Sequence, residues 1–262
     1  AAQHKARVVE AAVPFPLTHS QDIIDAIEAA ITPQTRLMII DQITSPTALI
    51  FPVDAVVQLA RTHKIPILID GAHAPGQIDL DLQRMRPDFW VGNLHKWLCA
   101  PKGAAVLVVD EPWRDRIHPT VTSHGYQKSL SEEFHWCGTF DPTAWLTAPE
   151  AVKLHLAQGG EHFRTAHHTL VQAGRELIAE AAGTPLPHPD CSSLYGSMAA
   201  IELPVSVERA TELFAQLREQ EAIEVPIIPW GDRVWVRISG FAGYNRPAQY
   251  QQLADALRRL LP

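Results

Sequence analysis

Apolar residues along this chain gather first into short unbroken runs that end in acids. Residues 36–41 (RLMIID) and 65–70 (IPILID) read this way, the pattern of strands buried on both faces in a parallel sheet. Residues 88–92 (DFWVG) and 104–109 (AAVLVV) predict two further strands. Between them the spacing changes to the helical three-and-four repeat. Residues 20–31 predict an amphipathic helix with Ser20 as its N-cap and Pro33 closing it. Residues 53–63, just after Pro52, predict a second helix. Strand, helix and strand joined by short connections imply an α/β sheet with crossovers.

From about Asp141 the pattern turns helix-rich, over residues 145–182, with a break expected at Gly159-Gly160. A proline loop follows at 185–189. After it come expected strands at 197–203, 223–228 and 234–238, and helices at 207–219 and 247–261. That order is α+β, so the chain divides into residues 1–140 and residues 141–262, the boundary lying inside the helical stretch. No internal repeat is visible.

Composition narrows the function classes. The chain has 262 residues and a formal net charge of -7, with no cluster of Lys and Arg, which argues against nucleic acid as a partner. No run nears the roughly 18 apolar residues of a membrane span. The opening residues lack the features of a signal peptide. Cys99, Cys137 and Cys191 are too few and too odd for a disulfide framework, so a cytoplasmic home is expected. His188, Asp190 and Cys191 lack metal-ligand spacing, and no metal site is expected. His167-His168 reads as a solvated helix face.

Two segments carry chemistry. In DGAHAPGQ (70–77), Asp70 falls at the carboxyl end of a strand, where open α/β sheets hold ligands, and Gly71 allows the backbone to turn there. Alone, Asp-Gly reads as a strand end capping the next turn. In GNLHKW (92–97), followed by APKG (100–103), Lys96 also lies just past a strand end. Alone, it reads as a surface lysine with its stem along Trp97. A buried lysine, however, loses its charge readily and becomes a nucleophile toward an aldehyde. Together, a strand-end carboxylate and a strand-end amine are what a pyridoxal 5'-phosphate (PLP) site needs: one to hold the ring-nitrogen proton, the other to bind the aldehyde and move protons. Trp97, Trp136 and Trp145 read as core or interface residues.

These two segments, with ITSPTALIFPV (43–53), WCGTFDPTAWL (136–146) and VRISGFAGYN (236–245), occur in the order and spacing of class V aminotransferases. The chain resembles that family over nearly its whole length, and within it the isopenicillin N epimerase-like subgroup. The resemblance implies the fold type I PLP-dependent transferase architecture: a mainly parallel large α/β domain and a smaller α+β C-terminal domain. It implies PLP as cofactor, an amino acid as substrate, a Lys96 Schiff base, and a homodimer with shared sites. Asp70 would pair with the ring nitrogen, Ala72 would pack under the ring, and His73 would approach the phenolic oxygen. Ser45 stands where cysteine desulfurases of the family have an Asn supporting that oxygen. Asn93 and His95 would lie near the phosphate, and Gly138-Thr139 would reach it from the neighbouring subunit. Arg237 would clamp the substrate carboxylate, for which a guanidinium fork is suited. The bland reading of Arg237 is a strand-end arginine in a surface ion pair.

The resemblance also implies that about a third of the family's length precedes Ala1, carrying a small-residue turn for the phosphate and a residue covering the ring. No cysteine lies between Ser192 and Val236 or directly after Arg237, so persulfide-forming desulfurase chemistry is not expected. Epimerisation, transamination and β-substituent loss all start from the same Lys, Asp and Arg, and the motifs do not rank them. The alternative is a non-catalytic, dimerising remnant of such an enzyme.

Overall fold

The computed structural model describes residues 6–189 and 191–262. They form two compact units, each assembled from separate stretches of sequence: residues 34–42 with 53–157, and residues 6–33 with 43–52, 158–189 and 191–262.

The first unit is built on a four-stranded sheet, β1 (Met38–Asp41), β2 (Ile67–Asp70), β3 (Phe89–Asn93) and β4 (Ala105–Val109), in that order. The first three strands are parallel and β4 is antiparallel to β3. Helix α2 (Val53–Thr62) makes the crossover from β1 to β2 and buries Val53, Val56, Val57 and Ala60, an apolar stripe at helical spacing. Short α3 (Leu82–Met85) is capped by Asp81, whose carboxylate accepts the Arg84 N–H at 2.9 Å. Beyond the sheet lie α4 (Leu130–His135), started by a Ser129–Glu132 capping box, and α5 (Thr143–Ala157).

Trp90 decides the packing of the parallel strands. Its ring is 2% exposed and its indole N–H donates to Gln42 Oε1 at 2.9 Å. A Cβ at Gly71 or at Gly92 would collide with that ring. Gly71 is not in the left-handed region, so its missing side chain serves Trp90 and not the turn that the sequence suggested.

The second unit centres on a three-stranded antiparallel sheet, β5 (Met198–Leu203), β7 (Arg233–Ser239) and β6 (Ile227–Trp230), with β7 in the middle. Val234, Val236 and Ile238 of β7 point into the core made with α6 (Glu161–Ala182), α7 (Ala210–Gln220) and α8 (Pro247–Leu260). Gly174 of α6 lies against the Tyr250 ring of α8, and a Cβ there would come within 2.9 Å of it. Tyr250 donates to Ser239 O at 2.7 Å, and burial pushes its hydroxyl up to about 12, so it stays a donor at neutral pH. Helix α1 (Gln21–Ala29) buries Ile23 and Ile27.

Several local expectations are corrected. Ser20 has helical dihedrals and makes no side-chain cap; instead the His19 N–H is taken by Asp22 Oδ2 at 2.9 Å. The expected strand at 223–228 begins only at Ile227, and the helix expected from 207 opens with a 3-10 turn, Val207–Arg209. His167 is fully buried, because the helical repeat puts it on the same face of α6 as Val171, Gly174 and Ile178. It packs between the rings of Phe163 and Phe241, with centroids 4.2 and 4.6 Å away. Buried His188 accepts from Arg175 through its carbonyl at 2.8 Å; Asp190 lies outside the described residues.

Candidate active site

Three successive parallel strands end at one edge of the first sheet in Asp41, Asp70 and Asn93. Asp41 and Asp70 are register partners, so their side chains leave the same face. The edge is held by main-chain bonds, Gln42 N–H to Asp70 O and Gly71 N–H to Val91 O, both 2.7 Å. Asp70 Oδ1 accepts the Ala72 N–H at 2.9 Å, which fixes the carboxylate at the head of the loop that carries His73.

The loop after β2 folds back on the segment after β3. Gly76 makes this approach feasible: its φ is +83°, and a Cβ would come within 2.8 Å of the Trp97 main chain. The result places His73 Nε2 3.1 Å from Lys96 Nζ, and His73 Nδ1 3.4 Å from the Trp97 indole nitrogen. His73, Lys96 and Trp97 thus form one hydrogen-bonded row. Buried Gln77 ties the loop to itself by donating to His73 O at 2.9 Å.

Charge around Lys96 is set by acids of two strands. Burial raises the Asp41 carboxyl above its ordinary range, the neighbouring Asp70 charge raises it further, and Lys96 opposes both. Asp41 therefore belongs to the electrostatic neighbourhood of Lys96 and Asp70. The sequence signal for it is the first of two successive apolar runs that each end in Asp. His95, one residue before Lys96, has a buried Nδ1 with no hydrogen-bond partner among the described residues. An unmet buried polar atom is costly, so a ligand group at that atom would remove a penalty.

These residues fit PLP. A carboxylate with Oδ1 already fixed, an amine held beside an imidazole, and a buried ring nitrogen lacking a partner match a protonated heterocycle, an aldehyde and an anion. Among the described residues, no group of three His, Cys, Asp or Glu side chains is placed to hold a metal ion.

In the second unit, Arg237 sits on the face of β7 opposite the helices. Its Nη1 donates to both the main-chain O and the Oγ of Ser45, the latter at 2.9 Å. Its Nε is buried without a partner, and burial lowers its pKa. It makes no ion pair with an acid among the described residues, unlike Arg233 on the same strand, which pairs with Glu202 at 2.8 Å. Gly138, with φ of +122°, and exposed Thr139 lie in the connection between α4 and α5. Trp97 is 9% exposed, whereas Trp136 and Trp145 are 41% and 46% exposed. Cys99, Cys137 and Cys191 are all exposed thiols.

A family model, aminotransferase class-V, matches residues 1–232. The chain belongs to the class V aminotransferase family. It is 33% identical over 98% of its length to a putative L-cysteine desulfhydrase 1 of Oryza sativa subsp. japonica, covering 59% of that protein. It is also 33% identical, over 91% of its length, to the isopenicillin N epimerase of Streptomyces clavuligerus, covering 64% of it. The chain thus spans about three-fifths of the length of these relatives. The apo cysteine desulfurase of Thermococcus onnurineus NA1 superposes on 92% of the chain, and on 62% of its own length, with a TM-score of 0.75 at 18% identity. The fold is accordingly that of fold type I PLP-dependent transferases. The expected subgroup likeness holds, and it extends equally to the desulfhydrases.

Proposed function

We propose that this chain is the catalytic part of a PLP-dependent enzyme that acts at the α-carbon of an amino acid, with Lys96 as the cofactor lysine. The observation that carries the reading is the junction of two loops at one sheet edge. It brings Lys96 to His73 within 3.1 Å beside the paired acids Asp41 and Asp70. When bound, PLP supplies an aldehyde for the substrate amine and a ring that accepts the electron pair left at the α-carbon. Asp70 holds the proton on the ring nitrogen, which keeps the ring positive enough for that task. Lys96 would hold the cofactor at its aldehyde end and would remove or return the proton at the substrate α-carbon. His73 orients Lys96; His95 and Asn93 would hold the phosphate, and Ala72 would lie against the ring. Arg237 holds the substrate carboxylate, with Ser45 fixing one arm of its fork. Fixing one arm leaves less freedom to lose on binding.

A non-catalytic remnant is the less favoured reading. The matched family is one of enzymes, and Lys96 lies in hydrogen-bond contact with His73 beside the strand-end acids. A homodimer is part of the proposal and is supported by apolar side chains standing free on α5, where Leu146 and Leu156 are 73% and 65% exposed.

The test is exchange at the α-carbon. The full-length protein, loaded with PLP, is incubated in D2O with a panel of amino acids and followed by proton NMR. Loss of an α-proton signal is expected for at least one amino acid, whatever product follows, and Lys96→Ala should abolish it. No exchange or conversion across the panel, or equal exchange by Lys96→Ala, overturns the reading.

A further inference from the structure

The row Trp97–His73–Lys96 fixes more than position. An indole nitrogen can only donate a hydrogen bond. The Trp97 Nε1–H faces His73 Nδ1 at 3.4 Å, the long end of the range, so Nδ1 must be the acceptor. A proton on Nδ1 would set two donors against each other. The single N–H of the neutral imidazole is therefore on Nε2, and Nε2 lies 3.1 Å from Lys96 Nζ. That contact then runs from His73 to Lys96. Only an uncharged amine has the lone pair to accept it, since an ammonium has three donors and no acceptor.

We propose that Trp97 is a positioning residue acting through His73: its indole N–H locks the Nε2–H tautomer, and His73 in turn favours the uncharged form of Lys96, the form that attacks an aldehyde. The proposal rests on Lys96 being the cofactor lysine and adds how that lysine is kept competent before the cofactor arrives. A device of this kind has something to work against. The Asp41 carboxylate, from β1, interacts with Lys96, and a carboxylate near an amine favours its ammonium form. His95 and Cys99 flank Lys96 in sequence, and desolvation raises the pKa of the Cys99 thiol. Against that acid, the tautomer lock supplies the opposing preference. Trp97 is buried, and Gly76 packs against its main chain, so its indole is set by the same loop contact that presents His73.

The tautomer can be read without turnover. The full-length protein, stripped of cofactor and labelled with 15N-histidine, is examined by NMR. The chain has 13 histidines, so the His73 signals are identified by their loss in His73→Gln. In the unaltered protein His73 should show a pyridine-type Nδ1 and a protonated Nε2. In Trp97→Phe, which keeps the bulk and removes the donor, the single tautomer should give way to a mixture or to Nδ1–H. The same variant should capture added PLP about tenfold more slowly at neutral pH, its pH midpoint for capture moving up by about one unit. A merely structural Trp97 would leave both readouts unmoved in a variant of normal thermal stability. Finding His73 as Nδ1–H in the unaltered protein overturns the proposal, and that measurement holds even if Trp97→Phe fails to fold. Unchanged capture kinetics in a folded Trp97→Phe overturns it too. If PLP is instead captured by another lysine, the assignment of Lys96 fails separately, and the His73 spectrum shows whether the lock exists.

Discussion

At the scale of single residues, the account turns on two carboxylates of unlike duty. Asp70 has one oxygen fixed by the Ala72 N–H, which suits a group that must hold a proton on a ring nitrogen in a constant place. Asp70→Asn keeps the shape and removes the charge. Turnover should fall at least about a hundredfold, in line with losing one electrostatic stabiliser, while PLP retention, measured by equilibrium dialysis, falls much less. Near-normal turnover would reduce Asp70 to a strand-end cap. Asp41 is costly to the fold. Its folded-state pKa is raised, so the fold prefers its neutral form. That preference is fully felt below the unfolded value, 3.8, and is lost as pH rises through the folded value. Asp41→Asn should therefore melt at a higher temperature than the unaltered protein at neutral pH. The gain should shrink as the pH approaches 3.8. Thermal melts across that range check both parts. An acid kept at a cost to stability beside Lys96 fits the usual conflict between stability and a working site.

At the scale of elements, the strands that carry the site were legible because parallel buried strands write themselves as unbroken apolar runs, here ending in Asp41 and Asp70. The two chemical loops were legible as motifs, and their residues do meet: His73 and Lys96 are in hydrogen-bond contact. What the sequence could not convey is why the glycines stand where they do. Gly71 and Gly92 lie on neighbouring strand ends, and only the fold shows that Trp90 occupies the space beside both. Gly92→Ala should cost about 1–3 kcal/mol, the usual range for overpacking a filled core. Urea unfolding measures it, and a loss near zero would mean that the ring moves aside freely. Ser20 shows the opposite failure. Its residue type suited a cap, but Asp22 reached back to His19 and extended the helical conformation past it. His167 is buried although two adjacent histidines suggest solvent, because the burial of a helix residue is decided by its neighbours three and four positions away.

At the scale of the whole molecule, family membership was legible through the order of five motifs, since no one of them alone separates chemistry from ordinary loop structure. The proposed partner subunit is the part least visible from one chain. Thr139 is exposed in the connection before α5, next to a glycine whose added Cβ would meet nothing, which leaves it open to a neighbour. If Thr139 serves the partner's cofactor, mixing full-length Lys96→Ala and Thr139→Ala chains, each impaired alone, should restore activity. One site of the mixed dimer then holds a sound Lys96 and a sound Thr139 from opposite chains. Absence of recovery, with the mixed dimer verified by mass, would assign Thr139 to its own subunit. All of these expectations depend on Lys96 being the residue that takes the cofactor aldehyde. The most direct measurement is borohydride reduction of the PLP-loaded protein followed by peptide mapping: the account predicts a pyridoxyl group on Lys96, and a label on Lys102 or any other lysine would contradict it.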